Sequence, residues 1–195
     1  MRVYLYAKFA AGLFAGALIL PAASLTHARP CSAGEPTPES YTWNFHQEAQ
    51  ELLGDIAAEA GQAEFHSDQL EHFSPSIDWE EHADELRAIR TEINDMGNQL
   101  CRLETIRRVA SPWEQKAIDD AAPLIAEMAS EARSAIQFLN EKQDDLFTPS
   151  YHALSVELYE QSSELKRTVN QFENFSKIHQ QDIRLEKSLG LIKKS

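Results

Sequence analysis

Histidine is the side chain in this sequence best suited to chemistry, because imidazole titrates near neutral pH and ligates metals. Seven are present. Four of them, His66, His72, His82 and His152, gather at one level once the chain is laid out as helices. With a rise of about 1.5 Å per residue they lie roughly 14, 5, 9 and 7 Å below the nearest turns. His66 and His82 also occupy inward positions, where Ala or Leu is routine. Tyr151, Asp68, Glu71 and Glu85 fall on the same scale. Oxygen and nitrogen donors at one mouth of a helical bundle suit zinc, copper or non-covalent haem, with His66, His82 and His152 as the ligands. The competing reading is a set of half-exposed imidazoles, each hydrogen-bonded to a neighbouring carboxylate. His46 and His179 share a level about 45 Å away, a coincidence that serves as background for the first.

Catalytic signatures are missing. The sequence holds no CxxCH, HExxH or ExxH pair, no P-loop, no dinucleotide glycine fingerprint and no Gly-x-Ser-x-Gly elbow. Acidic residues are so abundant that choosing an acid and a base among them is arbitrary. The expectation is therefore a protein that is not an enzyme. Met96 and Met128 fit apolar stripes and read as core. Glu80, Glu81, Asp84 and Glu85 read as a solvated acidic face.

Four helices must position these residues. The first, over about 40–73, carries Phe45, Ala49, Leu52, Ile56, Ala63, Leu70 and Phe73 at three- and four-residue spacing, and Ser74-Pro75-Ser76 stops it. The second, over about 78–110, opens on a capping box of Asp78 and Glu81 and carries Trp79, Leu86, Ile89, Ile93, Met96, Leu100 and Leu103. Ser111-Pro112-Trp113-Glu114 opens the third, over about 112–145, with a second capping box and Pro at the first helical position. Ile118, Ala121, Ile125, Met128, Ala132, Ala135 and Leu139 form its stripe, and Pro123 should kink it. Thr148-Pro149 opens the fourth, over about 149–189, with Tyr151, Leu154, Leu158, Leu165, Val169, Phe172, Phe175, Ile183 and Leu189. Its stripe drifts beyond Phe175, so the last third should bend or outrun its partners. Short turns between long helices favour antiparallel neighbours. The expected fold is all-α, an elongated up-down-up-down four-helix bundle in one domain, 40–195. A longer rod or a helix-exchanged homodimer is the alternative assembly.

Residues 1–28 read as a secretory signal peptide outside this fold. Arg2 and Lys8 precede an apolar run from Phe9 to Leu20, then Pro21 and small residues ending at Ala28. The run of about 12 residues is shorter than the roughly 20 needed to span a bilayer. Cleavage after Ala28 implies a periplasmic or secreted protein with no integral membrane segment left. Removing two positive charges takes the formal net charge from -13 to about -15, which repels nucleic acid. Residues 29–39 form a Pro-rich irregular leader. In an oxidising compartment Cys31 and Cys101 read as one disulfide, closing a loop of about 70 residues and stabilising by on the order of 4 kcal/mol. The function expected is an envelope interaction or scaffolding module with a protein partner. The alternative is a metal- or haem-binding bundle.

Overall fold

The computed structural model describes residues 45–73 and 78–191. Helix α1 spans Phe45–His72, α2 Trp79–Ile106, α3 Pro112–Glu141 and α4 Pro149–Ser188, with a 3-10 turn at Arg107–Val109. No strand occurs among the described residues. The segment 1–28 read as a signal peptide and the leader with Cys31 lie outside them. Cys101 sits half-buried on α2.

The helix starts follow from their sequences to different degrees. Ser111 caps α3 as expected: its hydroxyl accepts from the Glu114 amide, and the Glu114 carboxylate accepts from the Ser111 amide at 2.6 Å. Pro112 takes the first helical position, where a missing N–H leaves nothing unsatisfied. The box expected at Asp78 is not formed. Asp78 makes no side-chain cap bond, and the first turn of α2 closes through the Glu81 amide to the Asp78 carbonyl instead, 3.2 Å. Helix α3 runs unbroken through Pro123, which faces solvent. It stops at Glu141, four residues short of the expected end. Asp144 and Asp145 follow, and their charge is unfavourable at the negative end of a helix dipole.

Helix α1 packs on α2 and α4, and α3 packs on the same two helices. One core joins all four, with Ile56, Leu86, Met96, Ile118, Met128, Leu158 and Leu165 fully buried. Polar contacts fix which ends meet. Near the start of α1, Glu48 accepts from Arg102 Nε of α2, and Gln50 donates to Ser176 of α4 at 2.9 Å. Near its end, His66 reaches Glu85 of α2. The early turns of α1 thus lie beside the late turns of α2 and α4.

Three of the four serines buried among the described residues sit in this core without strain. Ser67 and Ser162 donate to the carbonyls one turn back, Ala63 at 2.7 Å and Leu158 at 2.6 Å. Ser155 does the same to His152 at 2.8 Å. With their hydroxyls satisfied inside their own helix they pack as small residues. Helix α4 has 40 residues against 28 to 30 in the others. Beyond Phe172 most of the apolar side chains emerge: Phe175, Ile178 and Leu185, with Leu189 just past the helix, are all at least half exposed.

Candidate functional site

The end of the molecule where α1 finishes and α2 and α4 begin holds a cavity of about 310 Å³. Its apolar wall is Leu70 and Phe73 from the end of α1, Leu146 and Phe147 from the α3–α4 connection, and Tyr151 from α4. Its polar groups are His82 from α2, Thr148, His152, Ser155 and Glu71. The volume lies at the low end of the roughly 300–1,000 Å³ typical of ligand pockets.

His82 is the chemical centre of this site. It is 1% exposed, and neither ring nitrogen has a hydrogen-bond partner. Three aromatic rings stand edge-on around it, Phe73 at 4.7 Å, Tyr151 at 5.4 Å and Phe147 at 5.8 Å between centroids. Burial without a counter-charge pushes the His82 pKa down, so the ring is neutral at physiological pH. A neutral imidazole carries one donor and one acceptor. The Tyr151 hydroxyl and the Thr148 Oγ1 are likewise buried and unpartnered. Burial pushes the Tyr151 phenol up, so it stays protonated. Thr148 is the N-cap of α4, yet its side chain makes no cap bond. Three neighbouring residues therefore hold unspent hydrogen-bonding capacity around one cavity. A buried, unmade hydrogen bond costs about 1–3 kcal/mol per group, so such a cluster is unusual in a packed helical end.

The three histidines expected as metal ligands are distributed rather than joined. His82 and His152 both line the cavity, His82 sealed within it and His152 exposed at its edge. His66 does not line it. Its Nδ1 donates to the Glu85 carboxylate at 2.6 Å, with both side chains about a quarter exposed. The register of α1 explains this: Ser67 turns inward and His66 lies at the flank. Among the described residues no three His, Cys, Asp or Glu side chains come together in a group able to hold a metal ion. The expected metal set is thus not assembled, and the rings packed on His82 seal both its nitrogens. His72 is exposed and bonds the Asp68 carbonyl at 2.8 Å, which raises its pKa.

Sequence reasoning missed Phe147 and Thr148, which belong to a connection where helical periodicity has no hold. It also treated Phe73 only as a stripe residue. The available signal was three aromatics, Phe73, Phe147 and Tyr151, at the same level as His82.

Two carboxyl pairs lie away from this end. Glu59 of α1 bonds Glu92 of α2, and that hydrogen bond, burial and the charges of Glu92, Asp95 and Asp55 push its pKa up to about 7. Glu131 of α3 is raised by burial and by Glu157 of α4. At the opposite end the fully buried Glu114 accepts from Ser111 Oγ at 2.8 Å and from His46 Nδ1 at 2.9 Å. His179 stacks on Phe175 at 6.0 Å.

No known protein family, no curated protein and no solved structure matches the chain.

Proposed function

We propose that this chain is an exported, non-catalytic helical protein that binds a small ligand in the cavity between the end of α1 and the starts of α2 and α4. The observation that carries this reading is His82, buried with both nitrogens unpartnered among Phe73, Phe147 and Tyr151. A group retained in that state is stabilised once a ligand supplies the missing partners. Export rests on the signal-type segment 1–28, and the helices are arranged up-down-up-down. The end-to-end contacts Glu48–Arg102, His66–Glu85 and Gln50–Ser176 support that topology. Cys31 and Cys101 close the disulfide that tethers the leader to α2. Thiol labelling of exported protein before and after reduction tests that bond: two thiols appear only after reduction, and labelling without reductant contradicts it.

Fragment-observed NMR on the full exported chain tests the ligand site. Small aromatic fragments at millimolar concentration shift resonances of Leu70, His82, Tyr151 and Ser155 and leave those of Ile118 and Met128 in place. Shifts spread over the whole surface, or none at all, contradict the reading.

A second reading, an envelope interaction or scaffolding module, is favoured by the exposed apolar residues on the late turns of α4, Phe175, Ile178 and Leu185. In that case sedimentation equilibrium detects self-association or partner binding that Ile178→Ser with Leu185→Ser abolishes. A monomer at all concentrations, with partner capture unchanged in the double variant, contradicts it.

A further inference from the structure

The ligand site just described has walls specific enough to define its occupant. We infer that the cavity takes an uncharged aromatic molecule of one or two rings bearing a hydroxyl or amide group, which enters by displacing the side chain of Phe147. This inference rests on the reading of the cavity as a ligand site and adds the chemistry of the ligand and the route by which it reaches His82.

Size sets the first limit. A cavity of about 310 Å³ admits one or two rings and no extended chain. Charge sets the second. Among the described residues no cation lines the cavity other than by protonation of a histidine, and Glu71 lines it, so a carboxylate or phosphate meets repulsion. A cation would have to bury its charge beside a neutral imidazole, and the single carboxylate, Glu71, is half-exposed rather than sealed within. An uncharged molecule avoids both costs. The unpartnered groups set the third limit. His82 offers one donor and one acceptor, and the Tyr151 and Thr148 hydroxyls each offer both. A purely hydrocarbon ligand would leave all of them unsatisfied, whereas a hydroxyl or amide on an aromatic ring satisfies at least one or two.

Phe147 is the wall that can yield. Of the three rings around His82 it is the farthest, at 5.8 Å, and it is 49% exposed. It sits outside any helix, between α3 and α4. Phe73 packs at 4.7 Å, and Tyr151 is 3% exposed and anchored in α4. A ligand ring in the place of Phe147 keeps the edge-to-face contact with His82 that aromatic pairs favour. It also brings its polar substituent to the sealed nitrogens.

Calorimetric titration of the full exported chain at pH 7.5 with phenol, toluene and benzoate tests this. Phenol binds wild type at least about 10-fold more tightly than toluene and benzoate, the worth of one good hydrogen bond. In His82→Phe, which keeps a ring in place, the preference for phenol over toluene falls to within about 3-fold. In Phe147→Ala, phenol binds at least as tightly as in wild type, because the wall no longer has to be moved. Toluene binding as tightly as phenol overturns the polar assignment while leaving the cavity a ligand site. Tighter binding of benzoate overturns the uncharged assignment. Loss of phenol binding in Phe147→Ala overturns displacement of that ring. Failure of all three probes up to millimolar concentration overturns the ligand site together with the inference. The nitrogen chemical shifts of the His82 imidazole in wild type, with and without phenol, test the contact independently of any variant's folding: a shift supports it, and unchanged shifts under saturation overturn it.

Discussion

Replacing His82 by Phe should make the protein more stable, although His82 is fully buried and central to the candidate site. Both ring nitrogens lack partners, and each buried, unmade hydrogen bond costs about 1–3 kcal/mol. Phe keeps an aromatic ring against Phe73, Phe147 and Tyr151 and removes both polar atoms. The larger ring costs up to about 1 kcal/mol in repacking, moderated by the cavity of about 310 Å³ beside it. Two such groups less the repacking cost leave a net gain of about 1–5 kcal/mol, or a rise of roughly 2–20 °C in Tm for a chain of this size. Urea unfolding followed by circular dichroism at pH 7.5 measures it, with the slope unchanged so that only stability is compared. The pH dependence carries a second signature. The folded-state pKa of His82 lies below its ordinary 6.5, so the folded protein binds fewer protons than the unfolded chain. Stability from this residue is therefore complete above about pH 6.5 and falls away as the pH drops toward the lower folded value. His82→Phe removes that acid sensitivity. A loss of about 1 kcal/mol or more in the variant at pH 7.5 would refute the reasoning, because it would mean that the imidazole makes hydrogen bonds that hold the fold.

The pH dependence of Glu59 runs in the opposite sense. With its pKa pushed up to about 7, Glu59 contributes stability that is complete below about pH 4.5 and lost as the pH rises through 7. Discounted for partial exposure, Glu59→Gln gains about 1 kcal/mol at pH 8 and shows a flatter dependence of urea midpoint on pH between 5 and 8. Glu114→Ala removes the acceptor for the Ser111 amide, the Ser111 hydroxyl and His46, and should cost about 2–3 kcal/mol in the same assay. Gly97→Ala should raise stability by about 1 kcal/mol, because a Cβ there meets nothing within 4 Å; an unchanged midpoint would contradict this.

Helix α3 is the most legible element in the sequence. All seven of its expected stripe residues, from Ile118 to Leu139, are buried, and its Ser111 capping box is formed. Large apolar side chains on one face and an unambiguous start leave little freedom of register. Helix α1 is less legible. It buries Leu53, Ala57, Ala60 and Ser67 where the spacing puts Leu52 and His66 inside, because a run of Ala and Gly offers several nearly equivalent faces. Serine misleads in the same way. A hydroxyl that bonds back to its own helix, as in Ser67 and Ser162, packs like alanine, yet by residue type it counts as polar. The drift of the α4 stripe beyond Phe175 is visible in the sequence, and its physical consequence is the exposed run from Phe175 onward.

The candidate site is half legible. Helical spacing alone gathers His82 and His152 at one end with Tyr151 and Glu71, and all four line one cavity. Their role is not legible. Ligand geometry depends on side-chain direction, and a shift of one residue on α1 sends His66 to Glu85. Phe147 and Thr148 come from a non-helical connection, where spacing says nothing about direction. The aromatic enclosure that makes His82 unusual can be seen only in three dimensions.

If a ligand completes the empty hydrogen-bonding capacity at the end of the helices, the His82 ring nitrogens must report it. The decisive observation is the ¹⁵N spectrum of the His82 imidazole in the full wild-type chain at pH 7.5, recorded without and with saturating phenol. A neutral ring with no hydrogen-bond shift is expected in the free protein, and displacement of one ring nitrogen's resonance on binding. A charged ring in the free protein, or both resonances unmoved at saturation, would contradict completion of the site by a ligand.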